Sequence, residues 1–322
     1  MKRLFVLLLV SICSVATAAD APNEINFGVL STESSQNLKH DWAPILADMS
    51  QRTGLKVNAF FAPDYAGMIE AMRFGKVQVA WLGNKPGIEA ADRANAEVFA
   101  QVVADGGVAG YWSLVIVRDE SPIRSVEDLF ANGKRINFGL GDPNSTSGFL
   151  VPSYYLFTRN KIDPKTAFKS ARNANHETNF LAVVNRQVDA AVVSSEILER
   201  FKSRDPAKVS DVRIVWRSPL IASDPLMWRR DSPSEAKEKV KRFFLDYGKT
   251  ERERALLAKL VVAGFQESSD RQLLPYRQLE LFKRKNKIEA DTALPAAERR
   301  RRLEDIDRKL AELGQKLAAA ER

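Results

Sequence analysis

The sequence predicts a two-lobed α/β protein with a hinge between the lobes and a helical extension at the C-terminus. Three observations carry that expectation. The chain has 322 residues, more than one compact core of roughly 100–200 residues usually holds. From Glu24 onward, short β-branched runs alternate with amphipathic segments in the order of βαβ units. The strand candidates also fall into two series, joined by two places where the chain passes between lobes. Apolar residues make up 45% and charged residues 28%, which suits packed cores and excludes a disordered chain.

Residues 1–18 have the layout of a secretory signal: Lys2 and Arg3, the apolar run Leu4 to Val10 continuing to Ile12, then Ala16-Thr17-Ala18. Cleavage is expected near Ala18 or Ala19. The apolar run is shorter than the roughly 20 residues a membrane span requires. Cys13, the only cysteine, lies in this segment and follows Ile12, where a lipid-attachment signal carries a small residue. The mature chain is therefore expected to be exported, unlipidated and without disulfide or thiol chemistry.

The first lobe is expected over residues 19–115, with strands at Ile25–Leu30, Lys56–Phe61, Gln78–Leu82, Val98–Val103 and Trp112–Arg118, the last leading out of it. Between them Trp42, Ile45, Leu46 and Met49, then Met68, Ile69 and Met72, recur at helical spacing and predict helices covering the sheet. The second lobe is expected over 116–217, with strands at Arg135–Gly139, Phe168–Arg172, Val188–Val193 and Val212–Trp216. The chain then returns to the first lobe over 218–284, a segment read as helical with no new sheet to build. The crevice between such lobes is where α/β sheets bind ligands. Over 285–322, Leu303, Ile306, Leu310, Leu313 and Leu317 form a heptad stripe in a charged segment. Two heptads suit docking on the chain itself or a homodimer.

Net charge is +8 at pH 7, and removal of Lys2 and Arg3 leaves about +6. Apart from Arg299 to Arg302 the basic residues are dispersed, and no nucleic-acid motif accompanies them, so no nucleic-acid partner is expected. Two histidines, His40 and His176, leave no zinc site, and there is no nucleophile elbow. Asp142, Glu177 and Asp224 lack the spacing of a calcium loop. No enzyme activity, metal or cofactor is expected.

The segment Gly139-Leu-Gly-Asp-Pro-Asn-Ser-Thr-Ser-Gly148 reads as strand, tight loop and helix start. Ser145, Thr146 and Ser147 would place three hydroxyls beside the unpaired N–H groups of a helix's first turn, where the dipole favours an anion. Ordinary N-capping is the competing reading. The nucleotide-binding pattern Gly-x-x-x-x-Gly-Lys-Ser/Thr is absent.

This segment resembles the phosphonate-binding proteins of phosphonate ABC importers, particularly the 2-aminoethylphosphonate-binding type. Further matching stretches are Asn26-Phe-Gly28, Ser31-Thr-Glu-Ser34, Asn58-Ala-Phe-Phe-Ala-Pro-Asp-Tyr-Ala-Gly67, Met72-Arg-Phe74, Gly110-Tyr-Trp-Ser113, His176-Glu-Thr-Asn179, Ser218-Pro-Leu-Ile221 and Asp224-Pro225. The resemblance runs from about Glu24 to Lys283. It implies a type II two-lobed periplasmic solute-binding fold, a phosphonate ligand, and a permease and ATPase as partners. It also implies that Ser145, Thr146, Ser147 and His176 grip the phosphonate group, and that Tyr65, Tyr111, Glu196 and Asp224 contact its amine end or opposite side. The chain departs from the family pattern at Leu82-Gly83-Asn84-Lys85-Pro86 and at Val192-Val-Ser-Ser195, where Lys85 adds a charge near the anion or in water. Phosphite, methylphosphonate or phosphate are alternative ligands, and a periplasmic sensor is an alternative role.

Overall fold

The computed structural model describes residues 24–107 and 109–320. The signal segment and Cys13 lie outside the described residues. Among the described residues no helix is long and apolar enough to cross a membrane.

In chain order the first lobe begins with β1 (Glu24–Val29), α1 (Ser35–Thr53), β2 (Lys56–Phe61), α2 (Tyr65–Arg73), β3 (Val79–Trp81), α3 (Asn84–Arg93) and β4 (Ala96–Ala104). The chain crosses through β5 (Gly110–Tyr111). It then builds the second lobe from β6 (Ser113–Arg118), α4 (Val126–Ala131), β7 (Asn137–Gly141), α5 (Pro164–Ala167), β8 (Ser170–Ala174), α6 (His176–Val184), β9 (Ala190–Ser194), α7 (Ser195–Arg204), α8 (Pro206–Ser210) and β10 (Val212–Arg217). It returns through β11 (Ile221–Ala222) to β12 (Pro225–Arg229), α9 (Ser234–Asp246), α10 (Glu251–Ala258), β13 (Val262–Glu267), α11 (Leu274–Ala290) and α12 (Ala296–Ala320).

Two sheets follow from this order. The first runs β13-β4-β12-β3-β1-β2 and the second β10-β6-β9-β7-β8. The two crossings pair with each other: β5 and β11 form an antiparallel ribbon, Tyr111 opposite Ile221 and Gly110 opposite Ala222. This ribbon is the hinge. The return segment corrects the helical expectation, because β12 inserts antiparallel between β3 and β4 while β13 covers the far edge of β4. Both are short, and pairing with β4 is what fixes them as strands. The strands expected at Arg135–Gly139 and Phe168–Arg172 both start two residues later, since β7 and β8 are locked in parallel register with Asn137 opposite Ser170.

Strand periodicity explains how the second sheet is covered on both sides. Leu114 and Ile116 of β6 join Phe180, Val193 and Phe201 in one core, whereas Val115 and Val117 join Phe138, Phe157 and Phe168 in the other. Phe138 stacks on Phe168 with centroids 4.3 Å apart. In the first lobe Phe27 packs between Trp42 and Phe244. The C-terminal stripe docks on its own chain: Ile306 and Leu313 are buried as α12 lies along α11, and Lys285 pairs with Asp307 at 2.5 Å.

Candidate functional site

Five helical segments begin at the carboxyl ends of parallel strands and aim their N-termini into the cleft, the place this topology makes for a ligand. After β2, α2 starts at Tyr65; after β3, α3 follows Gly83; after β7 a wide helix, π-helical over Thr146–Leu150, starts at Thr146. After β8, α6 starts at His176, and after β9, α7 brings Glu196. Tyr65, Tyr111, Ser145, Thr146, Ser147, His176 and Asp224 are only 2–5% exposed, so side chains of both lobes are enclosed together and the lobes are closed.

The three hydroxyls have distinct partners. Ser145 Oγ accepts the Gly148 N–H at 2.8 Å, the capping bond, and Thr146 Oγ1 accepts the Lys85 N–H of the opposite lobe at 2.8 Å. A hydroxyl whose oxygen already accepts has its proton left to donate. The Thr146 and Ser147 N–H groups have no partner within their helix. The chain can turn this tightly because Gly141 and Gly148 meet: a Cβ on Gly141 would stand 2.3 Å from the Gly148 Cα.

His176 supplies another donor. Its Nδ1 accepts the Ser194 N–H at 3.1 Å, so the neutral ring carries its proton on Nε2, which lies 3.3 Å from Ser145 Oγ and 3.4 Å from Ser147 Oγ. Burial, with help from the Arg200 charge, pulls its pKa down to about 4. It is therefore a neutral N–H donor at pH 7, in the same cluster as the serine hydroxyls.

Tyr65 and Tyr111 both stay protonated, their pKa values raised by burial and by nearby carboxylates. They serve different ends of the cleft. The Tyr65 hydroxyl lies on the Ser145 side, where Ser145 lowers its pKa against the effect of burial, whereas the Tyr111 hydroxyl donates to Asp224 Oδ1 at 3.0 Å. Trp81, which sequence reasoning did not single out, is buried on the same side, and its side chain lowers the Asp224 pKa. Burial raises the proton affinity of Glu196 and, more strongly, of Asp224, and the Glu196 charge adds to the effect on Asp224. Among the described residues the Glu196 carboxylate has no hydrogen bond or ion pair. Gly83 lies between the two ends, with its missing Cβ 3.1 Å from Thr146 Oγ1 and 3.6 Å from Asp224 Oδ1.

Lys85 does not face water. Its side chain is buried between Glu89 (3.8 Å) and Glu280 (3.4 Å) and crosses to Asn144 Oδ1 at 3.3 Å. Of the three acids considered for a cation, each is engaged separately. Glu177 takes Ser34 N at 2.5 Å and Asn37 Nδ2 at 2.6 Å across the lobes, Asp142 takes Asn144 N at 2.7 Å, and Asp224 takes Tyr111. Glu177 thus caps α1 from the other lobe, and Glu33 joins the same seam through Arg200 and Arg204. No short motif marks these cross-lobe ties, whose members lie 140 or more residues apart.

Two hinged α/β lobes closed on a cluster of oxyanion donors define a solute-binding protein. The family model described as the periplasmic phosphonate substrate-binding protein of ABC transporters matches residues 27–273, and the chain belongs to that family. It is 49% identical over 305 residues to the phosphonates-binding periplasmic protein of Escherichia coli, covering 92% of this chain and 90% of that one. It is 30% identical to a phosphate-import protein of Mycolicibacterium smegmatis over 74% of this chain and 78% of that one. A solved binding component of a phosphonate ABC transporter from Pseudomonas aeruginosa superposes with a TM-score of 0.90 at 51% identity, covering 94% of this chain and all of that one. The chain is accordingly a periplasmic phosphonate-binding component of an ABC transporter, not an enzyme. Family membership implies a phosphonate ligand and the transporter's permease and ATPase as its partners.

Proposed function

We propose that the ligand is a phosphonate carrying an ammonium group, of the 2-aminoethylphosphonate type, and that the chain delivers it to the permease after export by its N-terminal signal. One observation carries this reading: Asp224 of the first lobe is buried beside the oxyanion donors, and Glu196 of the second lobe, half-buried, stands close enough for its charge to act on Asp224. Two carboxylates confined together destabilise each other's charge, and an ammonium between them offsets both the repulsion and the desolvation. In this assignment Ser145, Thr146, Ser147 and His176 hold the phosphonate oxygens, joined by the Tyr65 hydroxyl. Tyr111 orients Asp224 by its hydrogen bond.

A second reading has its own support. The raised proton affinity of Asp224 would let it keep a proton beside an unaminated ligand, and the relative named for phosphate import is 30% identical. Phosphite, methylphosphonate and phosphate are then the candidates. Calorimetry of the mature protein against 2-aminoethylphosphonate and these three tests both. The amine reading expects the aminated compound to bind at least about tenfold more tightly than methylphosphonate, a gap of about 1.4 kcal/mol, lost in E196Q or D224N. Equal affinities overturn it.

A further inference from the structure

Arg200 stands one helical turn after Glu196 on α7, so the two side chains share a face. Its guanidinium is 4% exposed and reaches across the cleft to Glu33, whose side chain is fully enclosed. It also reaches Leu260 O at 3.4 Å and lies 5.7 Å from the ring centroid of Trp81. Arg204 joins the same Glu33 carboxylate and pairs onward with Asp41. Burial alone would raise the Glu33 pKa, but the two guanidiniums hold it below the usual carboxylate range. Glu33 is therefore charged, and it takes the hydrogen bonds of the Arg200 guanidinium, which acts on Glu196 and Asp224 only through space.

We infer that Glu33 and Arg200 form a charge-setting pair that gives the cleft its selectivity for a cationic ligand end. Glu33 draws Arg200 to the opposite lobe, which leaves Glu196 and Asp224 with its field but no direct cationic partner, and the ligand's ammonium supplies one. Arg200 is a positioning residue in this scheme and contacts no ligand atom. The inference rests on the aminated-ligand reading above. It differs from a mere closure latch, whose loss would weaken all ligands alike. Loss of the Glu33 charge releases the guanidinium toward Glu196 and Asp224, so it disfavours an aminated ligand and spares an unaminated one. Loss of both charges removes the competing guanidinium and has the opposite effect.

The test is calorimetry of wild type, E33Q and the double variant E33Q/R200M against 2-aminoethylphosphonate and methylphosphonate, with thermal melting as the folding check. Removing both charges of a buried ion pair avoids the cost of leaving one of them unpaired, so the double variant keeps the test open if E33Q fails to fold. E33Q is expected to lower the ratio of aminated to unaminated affinity by about tenfold, the low end of what a displaced neighbouring charge does. E33Q/R200M is expected to hold that ratio at or above the wild-type value. Equal weakening of both ligands in E33Q, or a lowered ratio in the double variant, overturns the inference while leaving the ligand reading intact. A wild type indifferent to the amine overturns that reading and this inference with it.

Discussion

Replacing Thr146 by alanine separates the two duties of its hydroxyl. In the closed cleft Thr146 Oγ1 accepts the Lys85 N–H at 2.8 Å, and its own proton is free for a phosphonate oxygen. Alanine leaves the enclosed Lys85 N–H without a partner, at a cost of about 1–3 kcal/mol to the closed state. It also removes a hydrogen bond to a charged oxygen, worth about 1.5–3 kcal/mol. The sum, about 2.5–6 kcal/mol before any relief from water, corresponds to a loss of phosphonate affinity of about fiftyfold or more, at roughly 1.4 kcal/mol per decade. Serine keeps the hydroxyl and loses only a methyl group, so T146S is expected within about fivefold of wild type. Calorimetry with one phosphonate on the three proteins decides it. A T146A affinity within threefold of wild type would refute both the lobe-crossing bond and the assignment of this loop to the anion.

The remaining expectations concern protonation and the C-terminal helix. His176 has its pKa depressed from 6.5 to about 4, so the unfolded chain binds a proton that the folded chain refuses, and stability is lost as pH falls from about 6.5 toward 4. The full shift corresponds to about 3 kcal/mol, measurable as the difference between wild-type and H176Q unfolding curves; a pH-independent difference would contradict it. Truncation ahead of Leu303 strips Ile306 and Leu313 from α11. It should lower stability by about 3–6 kcal/mol without changing ligand affinity beyond about twofold, because α12 packs on α11. Sedimentation of both forms shows whether the half-buried Leu303, Leu310 and Leu317 also hold a homodimer.

Local signals in the chain were legible where chemistry and structure coincide within a few residues. The hydroxyl run at Ser145 to Ser147 follows a strand and opens a helix, so capping and anion binding were both readable, and Ser145 indeed caps Gly148. The strands whose side chains alternate between two cores were readable from β-branched runs. β12 and β13 were not, because Pro225–Arg229 and Val262–Glu267 become strands by pairing with β4. Charge networks were the least legible. Lys85 looked free to meet the anion or solvent, yet Glu280 on a helix almost 200 residues later captures it. Arg200 and Glu33 are 167 positions apart, and nothing near either residue announces the other.

The division of the cleft between lobes has a consequence for closure. Ser145, Thr146, Ser147 and His176 all belong to the second lobe, with the first adding Tyr65 and tying Thr146 through the Lys85 N–H. The carboxylates are split, Glu196 on the second lobe and Asp224 on the first. In the proposed assignment an anion alone satisfies most of its donors on one lobe, whereas an ammonium gains its second carboxylate only when the lobes meet. A ligand shifts a conformational equilibrium only by its differential affinity for the two states. An aminated phosphonate is therefore expected to drive closure further than methylphosphonate at equal saturation. Small-angle scattering at saturating concentrations of each ligand measures this, with the smaller radius of gyration expected for the aminated compound. Equal radii would mean that the oxyanion contacts, through Tyr65 and Lys85, suffice to close the cleft, and that the carboxylate pair selects the ligand without moving the lobes.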